Sequence, residues 1–184
     1  MAKKQKRKER GVSRAGWVIR IFFISVAISA VLSLFSSVAL EGADFLPALA
    51  VLLSFVLLGI VFDVIGVAVT AADPRPFHSM ASHREKGAEE ALFLLRNSDK
   101  VSNFCNDVVG DICGIVSGTT AAVIVTHLQR SLTVSSVLLS IAVTALISGL
   151  TIGGKAIGKN IAIDCCTAVV FRAGRIMHFF HRGK

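Results

Sequence analysis

Residues 46–72 read LPALAVLLSFVLLGIVFDVIGVAVTAA, an apolar run interrupted by one charge, Asp63. At about 1.5 Å rise per residue, a helix of this length crosses the hydrocarbon core of a bilayer with some tilt. Residues 17–40, WVIRIFFISVAISAVLSLFSSVAL, form a second such run, with Arg20 near one edge. A soluble domain has no interior large enough to hide two runs of this kind. Hydrophobic residues make up 53% of the chain, charged residues 17%, and the mean hydropathy is +0.69. Soluble domains carry roughly 25% charge. The composition therefore excludes an ordinary soluble enzyme, and it is far too apolar for a disordered chain.

Two further stretches complete the pattern. Residues 104–127 begin polar and glycine-rich and end as ordinary apolar helix, and residues 133–154 carry no charge before Lys155. The expected fold is all-α: a polytopic membrane protein with four transmembrane helices. Residues 1–16 form a basic head and residues 17–160 the four-span membrane domain. Within that domain, the polar segment 73–103 is expected to fold as one or two short juxtamembrane helices. Residues 161–184 form a basic amphipathic C-terminal segment. The first run exceeds the 7–15 residues of a signal-peptide core, so it reads as an uncleaved span with Trp17 as an interface anchor. Asp73-Pro74-Arg75-Pro76 ends the second span, because proline lacks the amide proton a helix interior requires. In 73–103, Ala88, Ala91, Leu92 and Leu95 fall on one helical face and Glu85, Glu89 and Arg96 on another. In the tail, Val169, Val170 and Ile176 make an apolar stripe beside Arg172 and Arg175.

Lys and Arg total 20 against 12 Asp and Glu. Eight of the 20 lie in residues 1–20, five in 73–103, six in 155–184, and one, Arg130, elsewhere. Such blocks between apolar runs favour membrane orientation and anionic-lipid contact over nucleic-acid binding. Four spans put all three blocks on one side. The expectation is a multi-pass protein of the cell membrane with both termini cytoplasmic.

Three intramembrane carboxylates are the most informative residues. An acidic side chain at the centre of a membrane helix costs about 2.5–3.5 kcal/mol on insertion scales. Asp63 lies roughly 13 Å along its helix from the inner end and Asp111 roughly 10 Å from its own. Asp107 precedes Asp111 by one turn on the same face, and Lys155 marks the inner end of the fourth span. Matching depth suggests that Asp63, Asp107 and Asp111 converge as hard oxygen ligands for Mg²⁺ or Na⁺, or as proton carriers, with Lys155 as charge partner or gate. Equally, Lys155 can neutralise one carboxylate in a purely structural network.

Gly110, Gly114 and Gly118 recur every four residues on the third span, as do Gly149 and Gly153 on the fourth. Such ridges favour close helix packing and point to a homodimer. The Gly153-Gly154 pair offers a second option, an opened helix that bares carbonyls. Cys105, Cys113, Cys165 and Cys166 lack metal-site or disulfide spacing and read as buried thiols. His127, His178 and His181 have no partner ligand at metal spacing. No hydrolytic constellation is present in the pattern, and no enzymatic activity is expected.

Residues 62–73, FDVIGVAVTAAD, with Pro74 after them, resemble the end of the first helix in the transmembrane domain of the CNNM/CorC magnesium-transport family. MASHREKGAEEALFLLRN, residues 80–97, is similar to the stretch that follows it there, and GKAIGK, residues 154–159, to a degenerate Gly-Glu-x-x-Pro-Lys signature. The resemblance covers roughly residues 50–165. It implies a dimeric domain of three spans with short juxtamembrane helices, exporting Mg²⁺ in exchange for Na⁺. The chain adds one span, residues 17–40, in front, and the resemblance implies a minimal relative without the family's CBS pair and terminal domain. Several positions depart from the pattern. The serines of the family's Phe-Ser-Gly-Ser-Glu-Thr motif are replaced, Asp63 standing at one of them. Gly110-Asp111 stands for a Gly-Asn, Lys155 for an acidic residue and Gly158 for a proline, while Lys159 is retained.

Overall fold

A computed structural model describes residues 2–42, 44–131 and 136–181. The side chains of residues 1–15, 17, 18, 130–136, 180 and 181 lie outside the described set, so the anchoring role expected of Trp17 and the reading of His181 fall there. Among the described residues the fold is all-α. Helix α1 (Ala2–Leu40) continues from the basic head into the first span. Helix α2 (Phe45–Ala71) is the second span. Three short helices follow: α3 (Arg75–Ser82), α4 (Ala88–Arg96) and α5 (Ser98–Asn103). A π-helical stretch, Phe104–Val109, leads into α6 (Gly110–Ser131). Helices α7 (Ser136–Asp164) and α8 (Cys166–His181) complete the described residues. Four helical stretches are long and apolar enough to span a bilayer: Ile19–Leu40, Phe45–Ala71, Ser98–Gln129 and Val137–Asp164.

Two expectations on element boundaries are corrected. The third span starts at Ser98, because α5, the π-helical stretch and α6 run on as one rod. The fourth does not end at 154. Helix α7 continues through Gly153, Gly154, Lys155 and Lys159 to Asp164, so the glycine pair does not open it. A glycine in a helix interior costs roughly 1 kcal/mol, and Gly154 packs closely on Ile60 of α2. Ahead of the rod that starts at Ser98, the segment 73–103 folds as two short helices, α3 and α4.

Helix α2 is the hub, packed on α1, α6, α7, α8 and the π-helical stretch. Three apolar clusters line it from one end to the other. Ala48, Leu52 and Val56 meet Ala121 and Ile124 of α6. Phe55 meets Val108, Val109, Ile112, Cys113 and Val116, with Ile21, Ile28 and Leu32 of α1 against them. Ala68 and Val69 meet Phe77 of α3, Ala91 and Leu92 of α4, Ala162 of α7 and Val170 of α8. The last cluster gathers all the short helices at the end where α2 stops. That stop is built locally: the Ala72 amide still donates to the Ala68 carbonyl, after which Asp73 Oδ1 accepts from the Arg75 amide at 2.9 Å and the prolines begin α3.

The four long helices alternate in direction. Helix α6 runs antiparallel to α2, with Gly59 against Cys113 and, seven residues on along α2, Gly66 against Asn106. Helix α7 runs parallel to α2, with Gly154 on Ile60 and Gly158 on Val64. Helix α1 lies beside α6, and Ser36 Oγ and Thr120 Oγ1 share a buried hydrogen bond of 3.4 Å. Burial is uneven. Among the described side chains of α1 only Ser36 is buried, and no residue from Val137 to Ile157 is buried. Lipid is the natural solvent for these surfaces.

In the juxtamembrane layer, Ala88, Ala91 and Leu92 face inward, as their spacing predicts. Helices α4 and α8 cross backbone to backbone. A Cβ on Gly174 would overlap the Gly87 carbonyl and the Ala91 amide, and Gly87 itself has φ +93°, which favours glycine. His178 Nδ1 and Glu90 Oε1 lie 2.6 Å apart across this crossing. Of the apolar stripe Val169, Val170 and Ile176, Val170 is buried with Gly174 against the bundle, while Ile176 is 60% exposed. Cys105 and Cys113 are buried thiols, but Cys165, expected to be buried as well, is exposed between α7 and α8.

Candidate functional site

Asp63 is a buried carboxylate in the half of α2 nearer the short helices, and its side chain is 6% exposed. Two lysines straddle it. Lys155 Nζ stands 4.0 Å from Oδ1 and Lys159 Nζ 3.9 Å from Oδ2. Both come from α7, one turn apart, in a Gly-Lys-x-x-Gly-Lys repeat that does two jobs. Gly154 and Gly158 lack the Cβ atoms that would overlap Ile60 and Val64, so α7 approaches α2 closely. Each following lysine then reaches the carboxylate between them.

The third wall is α6 with the π-helical stretch. Lys155 Nζ lies 3.5 Å from the position a Gly110 Cβ would occupy. One turn beyond Asp63, the Asn106 amide rests directly on Gly66. Asn106 Nδ2 donates to Ser102 Oγ at 3.2 Å. Its Oδ1 is buried and accepts no hydrogen bond, and the same holds for Asp63 Oδ2. Leaving a buried acceptor unpaired costs about 1–3 kcal/mol, and native structures leave few such groups without a water or an ion to explain them. Two oxygens of this kind therefore sit on facing elements, one turn of α2 apart.

Asp107 and Asp111 stand elsewhere. Both are exposed and line a cleft of about 500 Å³ between α6 and α1, with Phe22, Ser25, Ser29 and Ile115. They share a face, as their spacing indicates. That face is turned toward α1, and neither Asp63 nor Lys155 lines the cleft. Among the described residues no three His, Cys, Asp or Glu side chains gather to hold a metal ion. The expected convergence of Asp63, Asp107 and Asp111 on one ion is thus corrected. Their depths match, but their directions around the helices do not. Lys155 does meet Asp63 as expected.

The residues that sequence reasoning passed over are Asn106 and, as a second ammonium on Asp63, Lys159. The signals were present. Asn106, Gly110 and Cys113 recur at i, i+4 and i+7, which sets a face beside the one carrying Asp107 and Asp111. Lys155 and Lys159 share the four-residue spacing of their glycines.

The glycine ridges divide in the same way. Within the chain, close approach uses Gly59, Gly66, Gly154 and Gly158. A Cβ on Gly114, Gly118, Gly149 or Gly153 would meet nothing within 4 Å. Gly114 and Gly118 instead border a cleft of about 250 Å³ between α6 and α7, together with Ser117, Thr144, Ser148 and Thr151.

Four long apolar helices and an all-α core define the class, a polytopic membrane protein. No protein-family model, curated protein or solved structure matches the chain.

Proposed function

We propose that the chain is a small-cation transporter, or an ion-responsive relative of one, whose site is Asp63 together with Asn106. One observation carries this reading: Asp63 Oδ2 and Asn106 Oδ1 are buried oxygen acceptors without hydrogen-bond partners, on helices that face each other. An ionisable group is costly to hold within a membrane bundle, which favours a functional role for it. The two ammonium groups act as tethered competitors. At 3.9–4.0 Å they neutralise the carboxylate without occupying its lone pairs at hydrogen-bond range. Lys159 is half exposed and can swing its long stem to the headgroups, releasing Asp63 to an arriving cation. Mg²⁺ is the favoured cargo, because it binds through one or two carboxylates while keeping several waters, and the CNNM/CorC resemblance points the same way. Na⁺ and H⁺ are the competitors.

Orientation and assembly belong to the same proposal. The positive-inside rule puts the end bearing α3, α4, α5 and α8 in the cytoplasm. Copies pair through the outward glycines Gly114, Gly118, Gly149 and Gly153, which no side chain of the same chain fills.

One observation favours a second reading. Two lysines already compensate Asp63, which is what a structural lock in a non-transporting scaffold requires. Ion flux in proteoliposomes separates the two. Mg²⁺, Na⁺ and H⁺ movements are followed for the wild type, D63N and the double variant D107N/D111N. Loss of one flux in D63N, with that flux retained in D107N/D111N, supports transport at Asp63. Wild-type protein that moves none of the three supports the scaffold.

A further inference from the structure

The outward face of α8 has a composition that neither water nor hydrocarbon alone suits. Val170 and Gly174 are buried against the bundle. The opposite positions, Ala168, Arg172, Arg175, Ile176 and Phe179, are exposed and follow helical spacing. Ile176 is 60% exposed and Phe179 79%. Two arginines and two large apolar side chains thus share one stripe, and Cys166–His181 contains no acidic residue.

Three features fix this stripe in place. Helix α8 begins one residue after the fourth span ends, so it lies at the membrane boundary. The glycine crossing with α4 and the His178–Glu90 contact prevent it from turning its outer face inward. The Arg175 guanidinium stacks on Phe171, 4.9 Å from the ring centroid, and this steadies its planar fork of donors. Guanidinium forks match phosphate oxygens, and apolar side chains beside them insert among acyl chains.

We propose that this face binds the phosphate headgroups of anionic phospholipids, with Arg172 and Arg175 on the phosphates and Ile176 and Phe179 in the acyl boundary. Charge complementarity decides the occupant. A cationic stripe with large exposed apolar residues, at the edge of the bilayer, fits the anionic leaflet surface. The inference is independent of any cation site at Asp63.

The test is photo-crosslinking of the full-length protein in mixed vesicles of phosphatidylglycerol and phosphatidylcholine. Each lipid carries a headgroup-proximal diazirine in turn, and crosslinks within 168–179 are mapped by mass spectrometry. The wild type should take the phosphatidylglycerol probe over the phosphatidylcholine probe. R172Q should lower that preference about fivefold, the effect expected of one basic residue at an anionic surface. R172Q/R175Q should abolish it, and neutralising Lys3, Lys4 and Lys6 of the head should leave it unchanged. Soluble glycerol phosphate added in millimolar excess should not compete. Equal labelling by both probes, or labelling insensitive to the arginines, overturns the proposal. Displacement by glycerol phosphate reassigns the face to a free anion, and absence of any lipid crosslink reassigns it to a protein partner. Arg172 and Arg175 are exposed, and retention of the α4–α8 crossing in their variants is checked by proteolytic resistance of the same segment.

Discussion

Lys155 Nζ and Asp63 Oδ1 face each other at 4.0 Å across the α2–α7 contact, within ion-pair reach and beyond hydrogen-bond reach. Lys159 stands similarly at 3.9 Å from the other carboxylate oxygen. Removing one member of a buried charge group leaves the rest uncompensated, at about 3–5 kcal/mol. Here the lower end of that range applies, because Lys159 is 52% exposed and can turn to water. D63N should therefore lower stability by about 3 kcal/mol. D63N/K155M should recover part of the loss, since it also removes the stranded ammonium. Unfolding of the four proteins of this double-mutant cycle in detergent micelles measures the coupling. Additive losses would show that Lys155 and Asp63 do not interact.

The two sets of glycines should respond differently to bulk. A Cβ on Gly158 would stand 2.8 Å from Val64 Cγ2, whereas Gly114 faces open space. G158V should destabilise the monomer by about 1–3 kcal/mol through overpacking. G114L should leave monomer stability unchanged and weaken self-association. Thermal unfolding read beside the dimer fraction in lipid separates the two effects. An unchanged dimer fraction in G114L would remove Gly114 from the interface.

The α4–α8 crossing gives a third outcome. Gly174 touches the Gly87 carbonyl and the Ala91 backbone, so no side chain fits there. G174L should release α8 and open Arg172 and Arg175 to trypsin, while H178A, which loses only the contact with Glu90, should cost about 1 kcal/mol. Cleavage kinetics at the two arginines report the opening. Equal protection of G174L and wild type would mean that α8 is held elsewhere.

Topology is tested by introduced cysteines in a background lacking Cys105, Cys113, Cys165 and Cys166. With both termini cytoplasmic, Glu41→Cys is labelled by an impermeant maleimide from outside and Ser82→Cys is not. Both positions are exposed, so neither result reflects burial. Labelling of Ser82→Cys from outside inverts the arrangement.

Most of the architecture was legible in the sequence, because apolar length and the spacing of basic blocks act on each helix separately. Depth along a span is legible only where its end is placed correctly: Lys155 was expected at the inner end of the fourth span, but α7 runs on to Asp164, and this brings Lys155 level with Asp63. Direction around a helix was less so. Asp107 and Asp111 face α1 because α6 is covered on two sides, and hydropathy does not tell which of two polar faces meets which neighbour. The π-helical stretch Phe104–Val109, where backbone hydrogen bonds reach to the fifth residue, shifts the register at this point, and nothing in its composition marks it. Gly-Lys-x-x-Gly-Lys was readable as a repeat. Its meaning required knowing that α7 continues past residue 154 as helix.

The central claim is that a cation and the lysines compete for Asp63, and the reactivity of Lys159 reads this competition directly. Acylation of Lys159 by a water-soluble active ester is measured in vesicles as Mg²⁺ is raised at constant ionic strength. Release of the ammonium predicts a saturable rise in its acylation rate, absent in D63N, where the rate is already high. A rate independent of Mg²⁺, Na⁺ and pH-matched controls in the wild type, and equal to that of D63N, would contradict exchange at Asp63.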